Sequence, residues 1–333
     1  MECMDRCDEK EKTVGDEKGE CDEERKEGKE SSFARHLVLS GGGADGIILY
    51  GAVRRMIERG YMDMASIRSV HAVSVGSLIA VSLLLGYEVN YLDDYVVRRP
   101  WNKAFPASGI NLSQVLLEKG LFDSELIVEV VRPLLEACDL SPDITLSEFD
   151  KWTGRRLFLY TTNVNEFPLS STELSGETHP SLPLSMALRM TCCYPMVFTP
   201  VLHEGGCYVD GGLMTKCPLR YCIKWLQSMG GDVSRVLTFT CETTPEGKRV
   251  DTGTGMVEYA RHLVDMMNHY IVMKEDEVLK GETSSVVRCF NAETDSARVW
   301  YTCIHEEGKR KEYVKAGIKF ADIYLKNLTR ASV

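Results

Sequence analysis

His36-Leu37-Val38-Leu39-Ser40-Gly41-Gly42-Gly43-Ala44-Asp45-Gly46 is a short apolar run that stops abruptly on glycines. Such a run reads as a buried strand ended by a turn. Beyond it, Ile47 to Arg59 carries Ile48, Val53, Met56 and Ile57 at helical spacing, and Gly60 closes that helix. A second strand, Ile67 to Val73, runs into Ser74-Val75-Gly76-Ser77, and Leu78 to Leu85 continue as a helix until Gly86. Strand, helix, strand, helix in this order predicts an α/β fold, a mostly parallel sheet covered by helices.

Working outward, Tyr87 to Phe122 is less regular, rich in aromatic and turn-forming residues. Asp123 and Ser124 offer an N-cap for an amphipathic helix reaching about Cys138, bent or ended near Pro133. Further strands are expected at Arg156–Thr162 and, with alternating character, at Arg235–Thr240 and Ser285–Phe290. Helices are expected at Leu182–Tyr194, Val257–Lys280 and Glu312–Leu328. There is no internal repeat and no low-complexity linker after residue 31. Residues 32–333 therefore read as a single domain, within what 333 residues and 44% apolar composition can bury.

Residues 1–31 differ in kind. Thirteen acids and seven bases leave too little apolar surface to offset the entropy of ordering, so a disordered charged tail is expected. The start, Met1-Glu2-Cys3-Met4-Asp5-Arg6, has no apolar core for a signal peptide, and no run of eighteen apolar residues offers a transmembrane segment. The expected location is cytoplasmic, peripheral to membranes at most. A net charge of -10 excludes the concentrated basic face of a nucleic-acid binder. The twelve cysteines show no Cys-x-x-Cys pair and no zinc-finger spacing, so no metal is expected and the thiols read as reduced core fillers, Cys192, Cys193 and Cys207 included.

Three features carry chemistry together. Gly41 to Gly46, between strand and helix, presents backbone N–H groups beside a helix N-terminus. Gly41-x-Gly43-x-x-Gly46 also fits a dinucleotide fingerprint, yet the second strand ends at Val73-Ser74 without the acid that would grip a ribose, and no Lys-Ser/Thr follows Gly46 as a Walker loop requires. Ala72-Val73-Ser74-Val75-Gly76 places a serine on a strand-to-helix turn with small neighbours two residues away on each side, as a nucleophile elbow needs. Asp210-Gly211-Gly212 is a turn in its simplest reading; it also holds a carboxylate that can act as base to Ser74 when fixed and partly desolvated. A Ser-His-Asp triad is the competing arrangement. His71 lies three residues before Ser74 on one strand and so faces the other way, while His203, His262, His269 and His305 stay open as partners.

These three blocks resemble the signature blocks of patatin-like phospholipases. The similarity continues through Gly120-Leu121-Phe122-Asp123, Thr145-Leu146 to Asn163, and Ala187-Leu188-Arg189-Met190-Thr191 with Pro195 and Phe198. It covers about residues 36–220 well and the C-terminal hundred loosely. The resemblance implies a three-layer sandwich and a hydrolase of lipid acyl esters, of phospholipase A type, working through an acyl-enzyme without a cofactor. It implies Ser74 as nucleophile, Asp210 as general base, and backbone N–H groups of Gly41, Gly42 and Gly43 as oxyanion hole, with Gly46, Ala72, Gly76, Gly211 and Gly212 as motif support. The alternatives are a catalytically weak lipid- or protein-binding relative and a Ser-His-Asp esterase. Three departures stand out: Asp45 replaces the usual Arg or Lys, Ala72 replaces the first glycine of the elbow, and Lys216 stands where an Asn is common.

A lipid hydrolase must meet a membrane or micelle. Tyr87 to Ile110 sets Tyr91, Tyr95, Trp101 and Phe105 beside Arg98, Arg99 and Lys103, a mixture suited to a head-group region; an ordinary helical insert packed on the core is the alternative. No protein partner is legible.

Overall fold

The computed structural model describes residues 33–105, 117–243, 249–279, 285–291, 293 and 296–331. The charged segment 1–31 and positions 106–110 of the aromatic segment lie outside the described residues.

The opening motif folds as its pattern demands. β1 (His36–Leu39) is buried along its whole length, and α1 (Gly46–Glu58) follows after one 3-10 turn, Gly43–Asp45. β2 (Ser69–Val73), wholly buried, leads into α2 (Val75–Leu84). The remaining strands are β3 (Gly120–Phe122), β4 (Arg156–Asn163), β5 (Ser171–Ser175), β6 (Met196–Phe198), β7 (Val201–His203), β8 (Gly206–Asp210), β9 (Val236–Thr243) and β10 (Ser285–Asn291). The main sheet runs β10-β9-β1-β2-β4-β8-β7, with β5 on β4; β3 and β6 pair separately. From β10 to β4 every pairing is parallel, and β5, β7 and β8 add antiparallel pairs. This is a mixed α/β fold with a mostly parallel sheet flanked by helices, as a run of βα units requires.

Register on β4 positions the site. Tyr160 pairs with Val73 of β2 and with Glu173 of β5, and the next residue, Thr161, pairs with Asp210 of β8 and Thr172 of β5. β5 therefore takes one edge of β4, while β2 and β8 share the other. β2 is parallel to β4 and β8 is antiparallel, so their C-terminal ends meet head to head. The two ends are Val73-Ser74 and Asp210.

The helices differ from the sequence reading in instructive places. The expected helix from Asp123 to Cys138 is two short ones, Glu125–Val128 and Arg132–Glu136, because Pro133 lies in the first turn of the second, where its missing N–H costs nothing. β9 does not alternate: Val236, Leu237, Thr238, Phe239 and Cys241 are all fully buried, because it lies between β1 and β10 with both faces covered. β10, at the sheet edge, does alternate, with Val287 and Cys289 buried against exposed Arg288 and Phe290. The last helix, Glu307–Ala331, packs on α1 at a close crossing, where a methyl on Gly51 would lie 2.3 Å from the Val314 carbonyl oxygen and one on Gly317 1.9 Å from that of Ile48.

The aromatic segment turns inward. α3 (Val89–Arg98) and the turn Trp101–Ala104 carry it. The Tyr95 hydroxyl donates to the Val130 carbonyl, the Trp101 indole donates to the Val96 carbonyl, and Phe105 is buried against Trp300. Arg99 lies over the rings of Tyr95 and Trp101. Of the four aromatics only Tyr91 is substantially exposed, stacked on Tyr87, so this segment is the packed insert rather than an interfacial patch.

Candidate active site

Ser74 has a backbone conformation that few side-chain-bearing residues adopt, φ 53° and ψ −133°, between the last residue of β2 and the first turn of α2. Such a conformation costs about 1–3 kcal/mol and persists only where the surroundings enforce it. Here the surroundings are tight. A methyl on Gly76 would lie 2.6 Å from the Ser40 carbonyl oxygen and 2.7 Å from that of Leu39, and Ala72 is fully buried. The Ser74 N–H donates to Thr191 Oγ1 at 3.1 Å, and that hydroxyl donates to the Tyr160 carbonyl at 2.5 Å. Thr191 thus ties the elbow to β4 from the helix Leu184–Cys192. Thr191 lies in the Ala187–Thr191 stretch that carries the family resemblance, but no sequence signal marks its bond.

Asp210 arrives from the opposite direction at the end of β8. Ser74 Oγ donates to its Oδ2 at 2.6 Å, and the Gly212 N–H donates to its Oδ1 at 2.7 Å. Both carboxylate oxygens are thereby held, and Asp210 is 2% exposed. Burial pushes its carboxyl up to about 6, against the opposing pull of the Ser74 and Gly212 hydrogen bonds. The turn after it leaves no room for larger residues: a methyl on Gly211 would sit 2.1 Å from the Tyr160 carbonyl oxygen, and one on Gly212 would sit 2.9 Å from Asp210 Oδ1.

The glycine loop lies against the serine. A methyl on Gly41 would come within 3.2 Å of Ser74 Cβ, and one on Gly46 within 2.3 Å of a Val75 methyl. The Gly41 N–H is engaged, donating to the Lys216 carbonyl at 2.9 Å, which leaves Gly42 and Gly43 as the loop's candidate donors toward a substrate oxygen. Gly43 has φ +55°, the left-handed region that suits glycine. Lys216 thus enters through its backbone, which no side-chain pattern could reveal.

Asp45 is also placed otherwise than its position in the loop suggests. It is buried rather than turned toward a head group, and its Oδ1 accepts from Asn291 Nδ2 at 2.5 Å, with the Tyr313 hydroxyl 3.1 Å from the same nitrogen. Burial raises its carboxyl above the usual range, the Asn291 bond opposing. The residue pins the glycine loop to the end of β10.

All seven histidines are described, and none hydrogen-bonds to Ser74 or Asp210. His71 is fully buried on the other side of the sheet, with Nδ1 2.8 Å from the Tyr160 hydroxyl and its ring stacked on Phe158; burial lowers it to about 3. His203 faces Glu204 at 3.8 Å, and His305 bonds to the Tyr301 carbonyl within its own helix. Cys192 and Cys193 are buried thiols pushed upward first by desolvation and then by the Asp210 charge, which suits packing rather than nucleophilic attack. Among the described residues no group of three or more His, Cys, Asp or Glu is placed to hold a metal ion, and no helix is long and apolar enough to cross a membrane.

The family model described as patatin-like phospholipase matches residues 37–223, from β1 through the Asp210 turn, and the chain belongs to that family. Protein R571 of Acanthamoeba polyphaga mimivirus is 27% identical over 189 residues, 56% of this chain and 61% of its own length. A protein of Invertebrate iridescent virus 6 named "Probable lipid hydrolase 463L" is 26% identical over 198 residues, 58% of this chain and 64% of its own. The matched region thus spans less than two thirds of either relative. Among solved structures, VipD from Legionella pneumophila aligns over 88% of this chain and 67% of its own at 15% identity and a TM-score of 0.48. The type III effector ExoU aligns over 88% and 53% at 12% identity and a TM-score of 0.44.

Proposed function

We propose that this chain is a serine hydrolase of lipid carboxylic esters, of phospholipase A type, in which Ser74 and Asp210 form a two-residue catalytic unit. The observation that carries the reading is the 2.6 Å hydrogen bond from Ser74 Oγ to a buried carboxylate that is itself held by the Gly212 N–H. Family membership and the named viral lipid hydrolase support the substrate class.

In this mechanism Asp210 takes the hydroxyl proton as Ser74 Oγ attacks the ester carbonyl. The negative charge that develops on the carbonyl oxygen is met by the N–H groups of Gly42 and Gly43 and by the N-terminal end of α2. Collapse expels the lysolipid alcohol, which takes the proton back from Asp210, and leaves an acyl-serine. Water, activated by the same carboxylate, cleaves that ester and restores both residues. One well-placed oxyanion donor is worth about 100- to 1000-fold in rate. A free carboxylate is a weak base for a serine; Asp210 gains strength from burial, which raises it to about 6 and brings it closer to working pH.

The test is hydrolysis of a fluorogenic short-chain ester and fatty-acid release from phospholipid vesicles, each followed against pH. The base acts as carboxylate, so kcat/KM is expected to be level above an apparent pKa near 6 and to fall about tenfold per pH unit below it. A chain that cleaves neither substrate at any pH contradicts the proposal. A limb governed by a group near the histidine range that survives loss of Asp210 points instead to a histidine base.

A further inference from the structure

The helix Met256–Leu279 is long, and its sequence leaves both faces mixed in character. Its packing separates them. Asn268 donates through Nδ2 to the carbonyls of Gly212 and Leu213, and Asp265 accepts from the Tyr194 hydroxyl at 2.7 Å. These bonds fasten one face of the helix to the turn after Asp210 and to Tyr194, just past the helix Leu184–Cys192. On the other side Met256, Tyr259, Leu263, Met267, Tyr270 and Met273 are between 44% and 78% exposed, with Met266 at 46% beside them. At ~100° per residue these positions fall within an arc of roughly 120° centred opposite Asp265 and Asn268, and by that spacing no charged position between Met256 and Met273 falls in it.

A solvated apolar stripe of this kind needs an occupant. It is about 27 Å long and about 10 Å wide, near 300 Å², well short of the roughly 800 Å² per partner that a stable dimer buries. Residues 1–31, two thirds of them charged, have no apolar run to lay over it. Methionine and tyrosine adapt to irregular apolar surroundings while tyrosine keeps its hydroxyl wet, the behaviour expected at a lipid boundary. A bilayer needs no matching shape. Between Met256 and Met273 the arc has no charged position and the whole chain is at -10, so nothing there selects anionic lipid.

We infer that the exposed stripe Met256–Met273 docks the protein on a neutral or zwitterionic lipid surface. It lies about one helix diameter, ~10 Å, from the turn after Asp210, and so brings the Ser74–Asp210 pair to the membrane face. The inference rests on the lipid-hydrolase reading above, and its test separates the two.

The experiment uses the full chain with phosphatidylcholine vesicles. Vesicle sedimentation and fatty-acid release are compared with cleavage of a soluble short-chain ester for wild type, Ser74→Ala and the triple variant Leu263→Glu, Met267→Glu, Tyr270→Glu. The triple variant is expected to bind vesicles at least about tenfold more weakly and to lose vesicle hydrolysis in step, with soluble-ester cleavage unchanged. Ser74→Ala is expected to bind as wild type does. Should the triple variant fail to fold, wild type alone still decides: peroxide oxidation of Met256, Met266, Met267 and Met273, read by mass spectrometry, is expected to slow several-fold when vesicles are present. Unaltered oxidation, protection that tracks protein concentration without vesicles (a second copy on the stripe), or binding that requires phosphatidylserine would each overturn the docking inference. Vesicle binding by a wild type that cleaves no ester would overturn the hydrolase reading and leave the docking one standing.

Discussion

Ser74→Ala is expected to lower kcat/KM for a soluble ester by about 10⁴- to 10⁶-fold while the chain stays folded. Alanine keeps the Cβ, so the strained backbone at φ 53° and the close packing around Gly76 are unchanged. The Thr191 bond to the backbone N–H at position 74 also survives, since it needs no side chain. What is lost is the hydroxyl proposed to attack, and with it one of the bonds that favour the Asp210 carboxylate. The carboxyl is therefore expected to move further up, and the variant's melting temperature above pH 6 to fall by no more than a few degrees. Activity is read with a fluorogenic ester and folding by thermal melting. Retention of more than a tenth of the wild-type rate would place the nucleophile elsewhere.

Asp210→Asn is expected to cost about 10²- to 10⁴-fold in rate, and its effect on stability has the opposite sign. An unfolded aspartate titrates near 3.9, whereas burial holds the folded Asp210 up at about 6. Because the folded value is the higher one, the contribution of this group is complete below the unfolded value. It is lost as pH rises through about 6. At pH 7.5 the buried carboxylate thus costs on the order of 2–3 kcal/mol, which asparagine removes. The amide still accepts from the Gly212 N–H and bonds to Ser74. The variant is expected to melt several degrees higher than wild type at pH 7.5 and equally at pH 4. A loss of stability at pH 7.5 would mean that the carboxylate is a structural anchor rather than a base held at a cost.

The parts of this molecule legible in its sequence are those set by local pattern. An apolar run ending on glycines gives β1, the run into Ser74-Val75-Gly76 gives β2, periodic apolar positions give α1, and Gly76 marks the elbow at Ser74 because nothing larger fits beside the Ser40 and Leu39 carbonyls. The Ser74–Asp210 contact bridges 136 residues, and the residues that close it are on β4, where Tyr160 and Thr161 align the ends of β2 and β8. That alignment is a matter of register, which no local signal reports.

Other features stayed hidden for related reasons. The Gly41 bond to Lys216 uses backbone atoms alone. The Asp45–Asn291 bond joins positions 246 residues apart, and a carboxylate inside a glycine loop reads more naturally as solvated. By contrast, the helix Leu146–Thr153 carries a full capping box, Thr145 with Glu148, whose Thr-x-x-Glu spacing the sequence does display. The helix Leu219–Ser228 follows directly on Pro218, and its buried Leu219, Cys222, Ile223 and Leu226 recur at helical spacing, a signal the sequence does carry. Aromatic and basic residues from Tyr87 to Phe105 look alike in sequence whether they face lipid or one another, and only packing shows that Arg99 lies on Tyr95 and Trp101. In Met256–Leu279, too, only packing shows which face is exposed: the hydrogen bonds of Asp265 and Asn268 turn theirs inward and leave the apolar residues opposite in solvent.

The pairing of one serine with one buried carboxylate is tested most directly by covalent capture. Incubation with a fluorophosphonate ester at pH 7.5, followed by proteolysis and mass spectrometry, is expected to place a single phosphonyl group on the peptide containing Ser74. The rate of labelling should follow the same titration near 6 as hydrolysis and drop sharply in Asp210→Asn. Phosphonylation at another residue, or labelling of Ser74 that proceeds as fast without Asp210, would contradict the account.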